Sequence, residues 1–527
     1  MIDKNDIFKI LVSINLYILE LESSGYLLME FMMYDTLFVD GNSLTIEQVK
    51  EVANESKKIA LSEAAKDKVK KCRAYVDKIV SENRVVYGIT TGFGKFANIV
   101  IDGKDIEELQ ENLILSHATG VGEYLSIEEV RAIMLLRINV LAKGHSGIRL
   151  STLQTMIDML NAGIHPLIPE KGSVGASGDL APLSHLALVL IGHGEAEYKD
   201  EILSGAEAMK RAGITPVKLA AKEGLALNNG TQVMTGIACL ALLRAENLCD
   251  KADLTAAMTI DALLGTPNAF DELVHKVRPH PGQIESAQNI RNLLKDSPLR
   301  QSHLNCKNVQ DAYSLRCTAQ VHGATRQNLK HIRSVLEIEI NSATDNPLIF
   351  PEEDKVISGG NFHGQPIAFV SDLLGICVAE LANISERRIE QLYNPALNRG
   401  LSPFLAFRPG IDSGLMIAQF TAASLVSENK VLAHPSSVDS IPTSANQEDH
   451  VSMGTIGAIK GRNIVDNTAF VLGIELMSAC QAIEMRQIES SPALMKVLKE
   501  FRCHVKPLGK DRVMYEDLQK AKMFVEK

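Results

Sequence analysis

Three long stretches in the second half of the chain, at residues 365–390, 414–433 and 454–490, are rich in Ala, Leu, Ile and Glu. They show little of the alternation that marks a strand, so they predict long helices. Helices of this length must bury their apolar faces against other helices. The expected fold class is therefore mainly α, built around a bundle of long helices.

The first half of the chain is more mixed, because two glycine-rich loops interrupt its helical segments. One loop spans residues 88–95 and the other spans residues 172–178. We predict a smaller mixed N-terminal domain at 33–230 that carries both loops. A central helical bundle and C-terminal helices are expected to follow at 231–527.

Several helix ends can be predicted from capping signals. A helical pattern runs from residue 45 to residue 82, with Ser43 or Thr45 as its cap. A second helix is predicted from Leu150 to Ala162, ending at Gly163. A third is expected to begin with Asp179 as its cap, directly after the second glycine loop.

Residues 1–32 form an atypical N-terminal extension that is apolar on nearly all sides. Asn15, Glu20 and Glu22 interrupt it, whereas a membrane span needs about 18 uninterrupted apolar residues. Its basic start fits a secretory signal weakly, and the two glutamates before Ser23 fit it badly. Two interpretations stay open: a signal or anchor, and a true translation start at one of the methionines near residue 32.

Composition excludes several classes of partner. The chain has 54 Lys and Arg against 64 Asp and Glu, a net charge of −10, so it has no basic field for nucleic acid or an anionic membrane. Trp is absent and aromatic residues make up 5%, which argues against a stacking platform for bases or sugars. Eight cysteines without Cys-x-x-Cys spacing predict reduced thiols in a cytoplasmic protein. The histidines show no His-x-x-x-His spacing and no close Cys/His cluster, so no metal is expected.

The loop at 88–95 does not fit a phosphate-binding motif. Gly88 and Gly94 enclose five residues instead of four, and Phe96 follows Lys95 where a P-loop needs Ser or Thr. No clear strand precedes it, as a dinucleotide fingerprint requires. It is either a plain surface loop or a mobile lid carrying Tyr87, whose hydroxyl is able to act as an acid or base.

The loop at 172–178 contains Ala176-Ser177-Gly178, flanked by glycines that let the backbone turn sharply. Such a tripeptide cyclises when the Gly178 nitrogen attacks the Ala176 carbonyl carbon and water is lost. Elimination of the Ser177 hydroxyl as a second water leaves an electrophilic methylidene carbon. The positive end of the helix that follows would stabilise negative charge on such a ring.

The segment from Gly172 to Leu183, Gly-Ser-Val-Gly-Ala-Ser-Gly-Asp-Leu-Ala-Pro-Leu, resembles the signature of the aromatic amino acid ammonia-lyases. The resemblance extends from about residue 37 to about residue 489 and is strongest to members that act on histidine. It implies the fumarase/aspartase-like ammonia-lyase fold and a homotetramer whose active sites combine three subunits. It also implies a 4-methylideneimidazol-5-one group formed from Ala176-Ser177-Gly178, with no dissociable cofactor.

Four single residues match positions with roles in that family. The resemblance implies that Tyr87, in Tyr-Gly-Ile-Thr-Thr-Gly-Phe-Gly, is the lid base that removes the β-proton. It implies that Asn229, in Leu-Asn-Asn-Gly-Thr-Gln, lies beside the electrophile. Phe362, in Gly-Gly-Asn-Phe-His-Gly, matches an aromatic residue of the cofactor pocket, and Glu448, in Ser-Ala-Asn-Gln-Glu-Asp-His, matches an acid that faces imidazole.

A further set matches the residues that hold the cofactor and the substrate carboxylate. Gln310, Tyr313 and Arg316 lie in Gln-Asp-Ala-Tyr-Ser-Leu-Arg, and an arginine suits this task because its planar fork pairs with two carboxylate oxygens. The chain departs from the family pattern at Thr318-Ala319, close behind Arg316, and at Asp412. The first departure would shift the carboxylate clamp.

Ser116-His117 occupies the place where relatives that prefer phenylalanine or tyrosine carry Phe-Leu or His-Leu. Together with Glu448, this pair offers hydrogen-bonding partners for an imidazole, and such groups would stay unpaired against a phenyl ring. The resemblance therefore implies deamination of L-histidine to trans-urocanate and ammonia, the first step of histidine degradation. The alternatives are a tyrosine or phenylalanine ammonia-lyase or aminomutase, and a catalytically silent helical scaffold.

Overall fold

A computed structural model describes residues 36–54, 57–304 and 308–527. The predicted extension at 1–32 lies outside these residues. The N-terminal part contains β1 (Thr36–Val39), α1 (Ile46–Ala53), β2 (Lys58–Leu61), α2 (Glu63–Ser81), α3 (Ile106–His117), β3 (Val121–Tyr124), α4 (Ile127–Ala142), α5 (Leu150–Ala162), β4 (His165–Pro166), β5 (Pro169–Lys171), α6 (Leu180–Leu190), β6 (Glu195–Tyr198), β7 (Glu201–Ser204), α7 (Gly205–Arg211) and α8 (Glu223–Asn228).

The rest of the chain is dominated by long helices, as the sequence predicted. Its elements are α9 (Gln232–Ala262), α10 (Glu272–Lys276), α11 (Pro281–Leu294), α12 (Pro298–Gln301), α13 (Tyr313–Arg316), α14 (Thr318–Glu339), β8 (Leu348–Phe350), β9 (Lys355–Ile357), α15 (Gln365–Tyr393), α16 (Met416–Leu432), α17 (Gly454–Arg486), α18 (Pro492–Arg502) and α19 (Tyr515–Glu526). The mainly α class is confirmed, whereas the domain boundary between residues 230 and 231 stays a prediction.

The strands form small separate sheets. β1 and β2 pair in parallel, β3 pairs with β5 antiparallel, β4, β6 and β7 form an antiparallel sheet, and β8 and β9 form a hairpin. These sheets are too small to form a core of their own. They connect helices, and β5 leads directly towards the second glycine loop.

The predicted helical segment at 45–82 is wrong in its middle. Residues Lys58–Leu61 form β2, in which Ile59 and Leu61 are buried, whereas Lys58 and Ala60 are not. This period of two suits a strand paired with β1 and does not suit a helix. The predicted cap at Thr45 is confirmed, since its hydroxyl accepts the backbone N–H of Gln48.

The bundle is centred on α17, which packs against α9, α15, α16 and α19. By length and composition, α15 and α17 are each apolar enough to cross a membrane. However, 67% and 83% of their most apolar windows are buried inside the fold. Such burial is typical of core helices, whose apolar sides are covered by neighbouring helices.

A fully buried ion pair links α15 to α17 in the middle of the bundle. The Arg388 guanidinium donates to the Glu475 carboxylate, with 2.8 Å between Nη2 and Oε2. Hydroxyls of Thr255, Thr259 and Ser385 donate to the same carboxylate. The carboxylate is therefore paired and hydrogen-bonded on both oxygens, as a buried charge requires.

Replacing one member of this pair is expected to destabilise the bundle. Arg388→Met leaves an unpaired buried carboxylate and should lower the free energy of unfolding by about 3–5 kcal/mol. Adding Glu475→Leu removes that charge and should restore part of the loss. Urea denaturation followed by circular dichroism measures both effects, and an Arg388→Met midpoint equal to that of the unchanged protein would contradict this expectation.

Candidate active site

The predicted cofactor tripeptide lies in the loop between β5 and α6. Ala176 and Gly178 are buried, and Ser177 is partly exposed. Gly178 has φ of +74°, a conformation that favours glycine. The backbones of Ala176 and Gly178 form a bridge, so the two residues that cyclisation would join lie side by side.

The tripeptide loop is held from two sides by backbone hydrogen bonds. On one side, Asp179 N–H donates to the Gly230 carbonyl at 2.7 Å, and Gly230 N–H donates to the Ser177 carbonyl at 3.3 Å. On the other side, Met453 N–H donates to the Val174 carbonyl at 2.9 Å. The loop is therefore fixed between the segments that lead into α9 and α17.

Asp179 joins these segments through its side chain. Its carboxylate is fully buried and accepts the backbone N–H groups of Val233 and Met234 at 2.9 Å each, at the start of α9. The hydroxyls of Ser173 and Thr455 also donate to it. Burial raises the pKa of Asp179 to about 6, although these hydrogen bonds oppose the shift.

The predicted role of Asp179 as a side-chain cap is wrong for its own helix. The residue stands at the start of α6, but its side chain makes no capping hydrogen bond there. Its carboxylate instead caps α9, which begins more than fifty positions later in the chain. Sequence spacing did not reveal this partner because the contact is long-range.

A cavity of about 500 Å³ opens beside the tripeptide. Its volume suits a small-molecule ligand. Six of the residues that the sequence singled out line this cavity: Tyr87, Ser116, His117, Ser177, Asn229 and Glu448. A smaller adjoining cavity of about 240 Å³ shares Ser116, His117 and Glu448 and reaches Ala176 and Gly178. The folded chain thus brings both glycine loops to one place.

The polar side chains of the cavity are already paired with each other. Glu448 accepts hydrogen bonds from the Thr443 hydroxyl at 2.9 Å and from the Ser177 hydroxyl at 3.4 Å. The Ser116 hydroxyl lies 3.0 Å from His117 Nδ1. Burial lowers the pKa of His117, which favours a neutral ring with one donor and one acceptor nitrogen.

Tyr87 lies in the loop that was predicted to be either a plain surface loop or a lid. Its hydroxyl oxygen accepts the Gly94 N–H at 3.4 Å, and the residue faces the cavity. Burial raises the pKa of Tyr87, with a smaller contribution from the Glu448 charge, while the Gly94 N–H opposes the shift. The position of Tyr87 in the cavity favours the lid interpretation.

Asn229 is held through its backbone. Arg137, which is fully buried, donates to the Asn229 carbonyl at 2.8 Å and to Gln232 Oε1 at 2.6 Å. The Asn229 side-chain oxygen is buried and has no hydrogen-bond partner among the described residues. Such an oxygen is available to a donor that enters the cavity.

Four predicted site residues line neither cavity: Gln310, Tyr313, Arg316 and Phe362. Gln310 is exposed, and Tyr313 is 71% exposed on α13. The Arg316 guanidinium lies 4.3 Å from the centre of the Tyr313 ring, and its Nε donates to the Asp311 carbonyl. Within one chain, therefore, the predicted carboxylate clamp and the cavity are separate.

The two departures from the family pattern have ordinary structural partners. The Thr318 hydroxyl donates to the carbonyls of Ser314 and Leu315, and Ala319 is buried. Asp412 forms a two-point ion pair with Arg408. None of these residues lines either cavity.

Thr443 was not identified from the sequence, although its hydroxyl contacts Glu448 and it lines the smaller cavity. Its position five residues before Glu448, directly before the Ser-Ala-Asn-Gln-Glu-Asp-His motif, was the available signal. Nothing in the local pattern indicated that the chain turns back on itself there. The contact depends on the unusual turn between the two residues.

The fold and this cavity together define the ammonia-lyase class: a long-helix bundle whose helices α9 and α17 begin beside a glycine-rich loop. The profile of the aromatic amino acid lyase family matches residues 44–503. The chain therefore belongs to the aromatic amino acid lyase family and is a carbon–nitrogen lyase.

Individual relatives agree with this assignment. The chain is 56% identical over 483 residues to a protein named histidine ammonia-lyase from Caldanaerobacter subterraneus subsp. tengcongensis, covering 91% of this chain and 94% of the relative. The structure of this chain resembles that of histidine ammonia-lyase from Trypanosoma cruzi, with a TM-score of 0.86 and 44% identity. The match covers 93% of this chain and 93% of the other. This chain also resembles the structure of tyrosine aminomutase from Streptomyces globisporus, with a TM-score of 0.87 and 38% identity. That match covers 93% of this chain and 97% of the aminomutase chain.

Substitution of Gly178 is expected to prevent cyclisation of the tripeptide. A Cβ atom there would lie 2.1 Å from the Gly230 carbonyl oxygen, and the φ of +74° disfavours other residues. We expect the intact mass of Gly178→Ala to show no loss of two waters. Gly509→Ala is the matched control, since its Cβ meets nothing within 4 Å. A Gly178→Ala chain that still loses two waters would refute this expectation.

Proposed function

We propose that this protein catalyses the non-oxidative deamination of L-histidine to trans-urocanate and ammonia. The observation that carries the proposal is the single cavity in which Glu448, Ser116 and His117 face Ser177 of the tripeptide. The relatives named histidine ammonia-lyase support it, because they match more than nine-tenths of the chain. The alternative of a tyrosine or phenylalanine enzyme is not favoured, since a phenyl ring offers no hydrogen bond to the polar side chains of this cavity.

The chain's residues fit the 4-methylideneimidazol-5-one group that the family resemblance implies. Ala176 and Gly178 are bridged through their backbones, and Gly178 has a left-handed conformation that glycine adopts readily. The unpaired oxygen of Asn229 is available beside them. When formed, the group supplies an electrophilic carbon that takes up the substrate amine and makes ammonia a better leaving group.

The side chains that line the cavity have separate roles in binding the substrate and in proton transfer. Glu448 accepts a hydrogen bond from an imidazole nitrogen, and His117, held by Ser116, supplies a neutral ring beside it. Tyr87 removes the β-proton of the substrate. Because burial raises the pKa of Tyr87, its hydroxyl is protonated at neutral pH, and turnover should increase as rising pH ionises it.

We further propose a homotetramer in which neighbouring subunits bring Gln310, Tyr313, Arg316 and Phe362 to the cavity. The exposure of Tyr313 supports this arrangement. Apolar side chains are also exposed along single faces of the bundle helices: Phe369 and Ile376 on α15, and Ile417 and Phe420 on α16. A patch of this kind is typical of an interface between subunits.

A cytoplasmic location is part of the same proposal. The seven cysteines among the described residues are free thiols, and five of them are buried. Unpaired cysteines are typical of a reducing compartment. The net charge of −10 likewise supports a small-molecule substrate over nucleic acid or an anionic membrane.

The reaction is tested by incubating the purified protein with L-histidine, L-tyrosine or L-phenylalanine. We expect a conjugated acrylate to appear in the ultraviolet spectrum with histidine alone, together with equimolar ammonia. Tyr87→Phe should lower kcat by about 10²–10⁴-fold and remove the increase at alkaline pH, while two waters are still lost. A product from tyrosine or phenylalanine would support the alternative, and an uncyclised inactive chain would support a scaffold.

The shared active site is tested by mixing two inactive variants. Tyr87→Phe and Arg316→Ala chains, co-expressed with different tags, should regain activity in mixed tetramers. If each site takes these residues from different subunits, about a quarter of the sites receive both intact residues under random mixing. Mixed tetramers without activity would show that both residues come from one chain.

A further inference from the structure

The turn between Thr443 and Glu448 has an unusual backbone. Ser444, Ala445 and Asn446 have φ of +52°, +52° and +69°, and none of them is glycine. The left-handed region costs an L-residue roughly 1–2 kcal/mol, and it is rarely adopted by successive residues. Strain of this kind persists only where the surrounding structure imposes it, and it clusters at functional sites.

The left-handed turn brings Thr443 and Glu448 directly opposite each other. Thr443 N–H donates to the Glu448 carbonyl at 2.9 Å, and Glu448 N–H donates to the Thr443 carbonyl at 3.3 Å. The Thr443 hydroxyl then reaches the Glu448 carboxylate, with 2.9 Å between Oγ1 and Oε2. The strained backbone therefore places one hydroxyl on one oxygen of the carboxylate.

The other oxygen of Glu448 has a different partner. The Ser177 hydroxyl donates to Oε1 at 3.4 Å. Cyclisation and dehydration of the tripeptide remove this hydroxyl as water, so the hydrogen bond does not survive in the mature chain. Oε1 then faces the cavity without that donor, while Oε2 keeps its bond from Thr443.

We propose that Thr443 is a positioning residue that sets the specificity of the site for an imidazole ring. By holding Oε2, it keeps Oε1 directed into the cavity, where Oε1 accepts the imidazole N–H of the substrate. This inference rests on the proposed function, and it assigns the selectivity to the pair Thr443 and Glu448.

The inference is tested with Thr443→Val, which keeps the shape of the side chain but removes the hydroxyl. We expect kcat/KM for L-histidine to fall by about ten- to a hundredfold, as for loss of a hydrogen bond to a charged group. Inhibition by imidazolepropionate should weaken by a similar factor, whereas inhibition by 3-phenylpropionate should not change. Thr443→Ser keeps the hydroxyl and should restore both values.

Two controls separate this role from general damage. Thr155→Val removes a threonine hydroxyl that bonds within its own helix, and it should change neither inhibitor. The intact mass of each variant shows whether two waters are lost. The proposal is overturned if both inhibitors weaken equally, if Thr443→Val behaves like the unchanged protein, or if it fails to lose the waters. Failure of the unchanged protein on histidine would instead reject the proposed function.

Discussion

The buried carboxylate of Asp179 connects the three parts of the chain that form the candidate site. It follows the tripeptide directly, accepts two N–H groups at the start of α9 and contacts Thr455 at the start of α17. A buried charge is costly unless it is fully hydrogen-bonded, and the positive end of a helix favours a negative group. The loop and the two longest helices are therefore coupled, and displacing one of them leaves a buried charge unsatisfied.

The same region concentrates backbone conformations that side chains disfavour. Gly175 and Gly178 are left-handed, as are Met453 and the turn from Ser444 to Asn446. Packing of the bundle behind the site stabilises these conformations, so the large helical core supplies the rigidity that a small constellation of polar groups needs.

Much of the fold was predictable because its signals are local. Helix periodicity and the stop at Gly163 predicted Leu150–Ala162 correctly, and apolar length predicted the bundle. β2 was missed because a strand of four residues is too short to stand out beside two helices. In the site, resemblance identified Tyr87 and Glu448, but it did not reveal the α9 partner of Asp179 or the contact of Thr443. Those contacts depend on the folded backbone.

The segments that hold the tripeptide are far apart along the chain, and this separation determines when the tripeptide is able to cyclise. Asp179 and Thr455 are 276 residues apart, and Met453 is slightly more distant from Val174. The Ala-Ser-Gly segment therefore leaves the ribosome long before Met453 and Thr455, which hold it in the folded chain, have been synthesised. Under the proposed function, a growing or truncated chain carries only an ordinary peptide, and the electrophile arises after the complete bundle has closed around it.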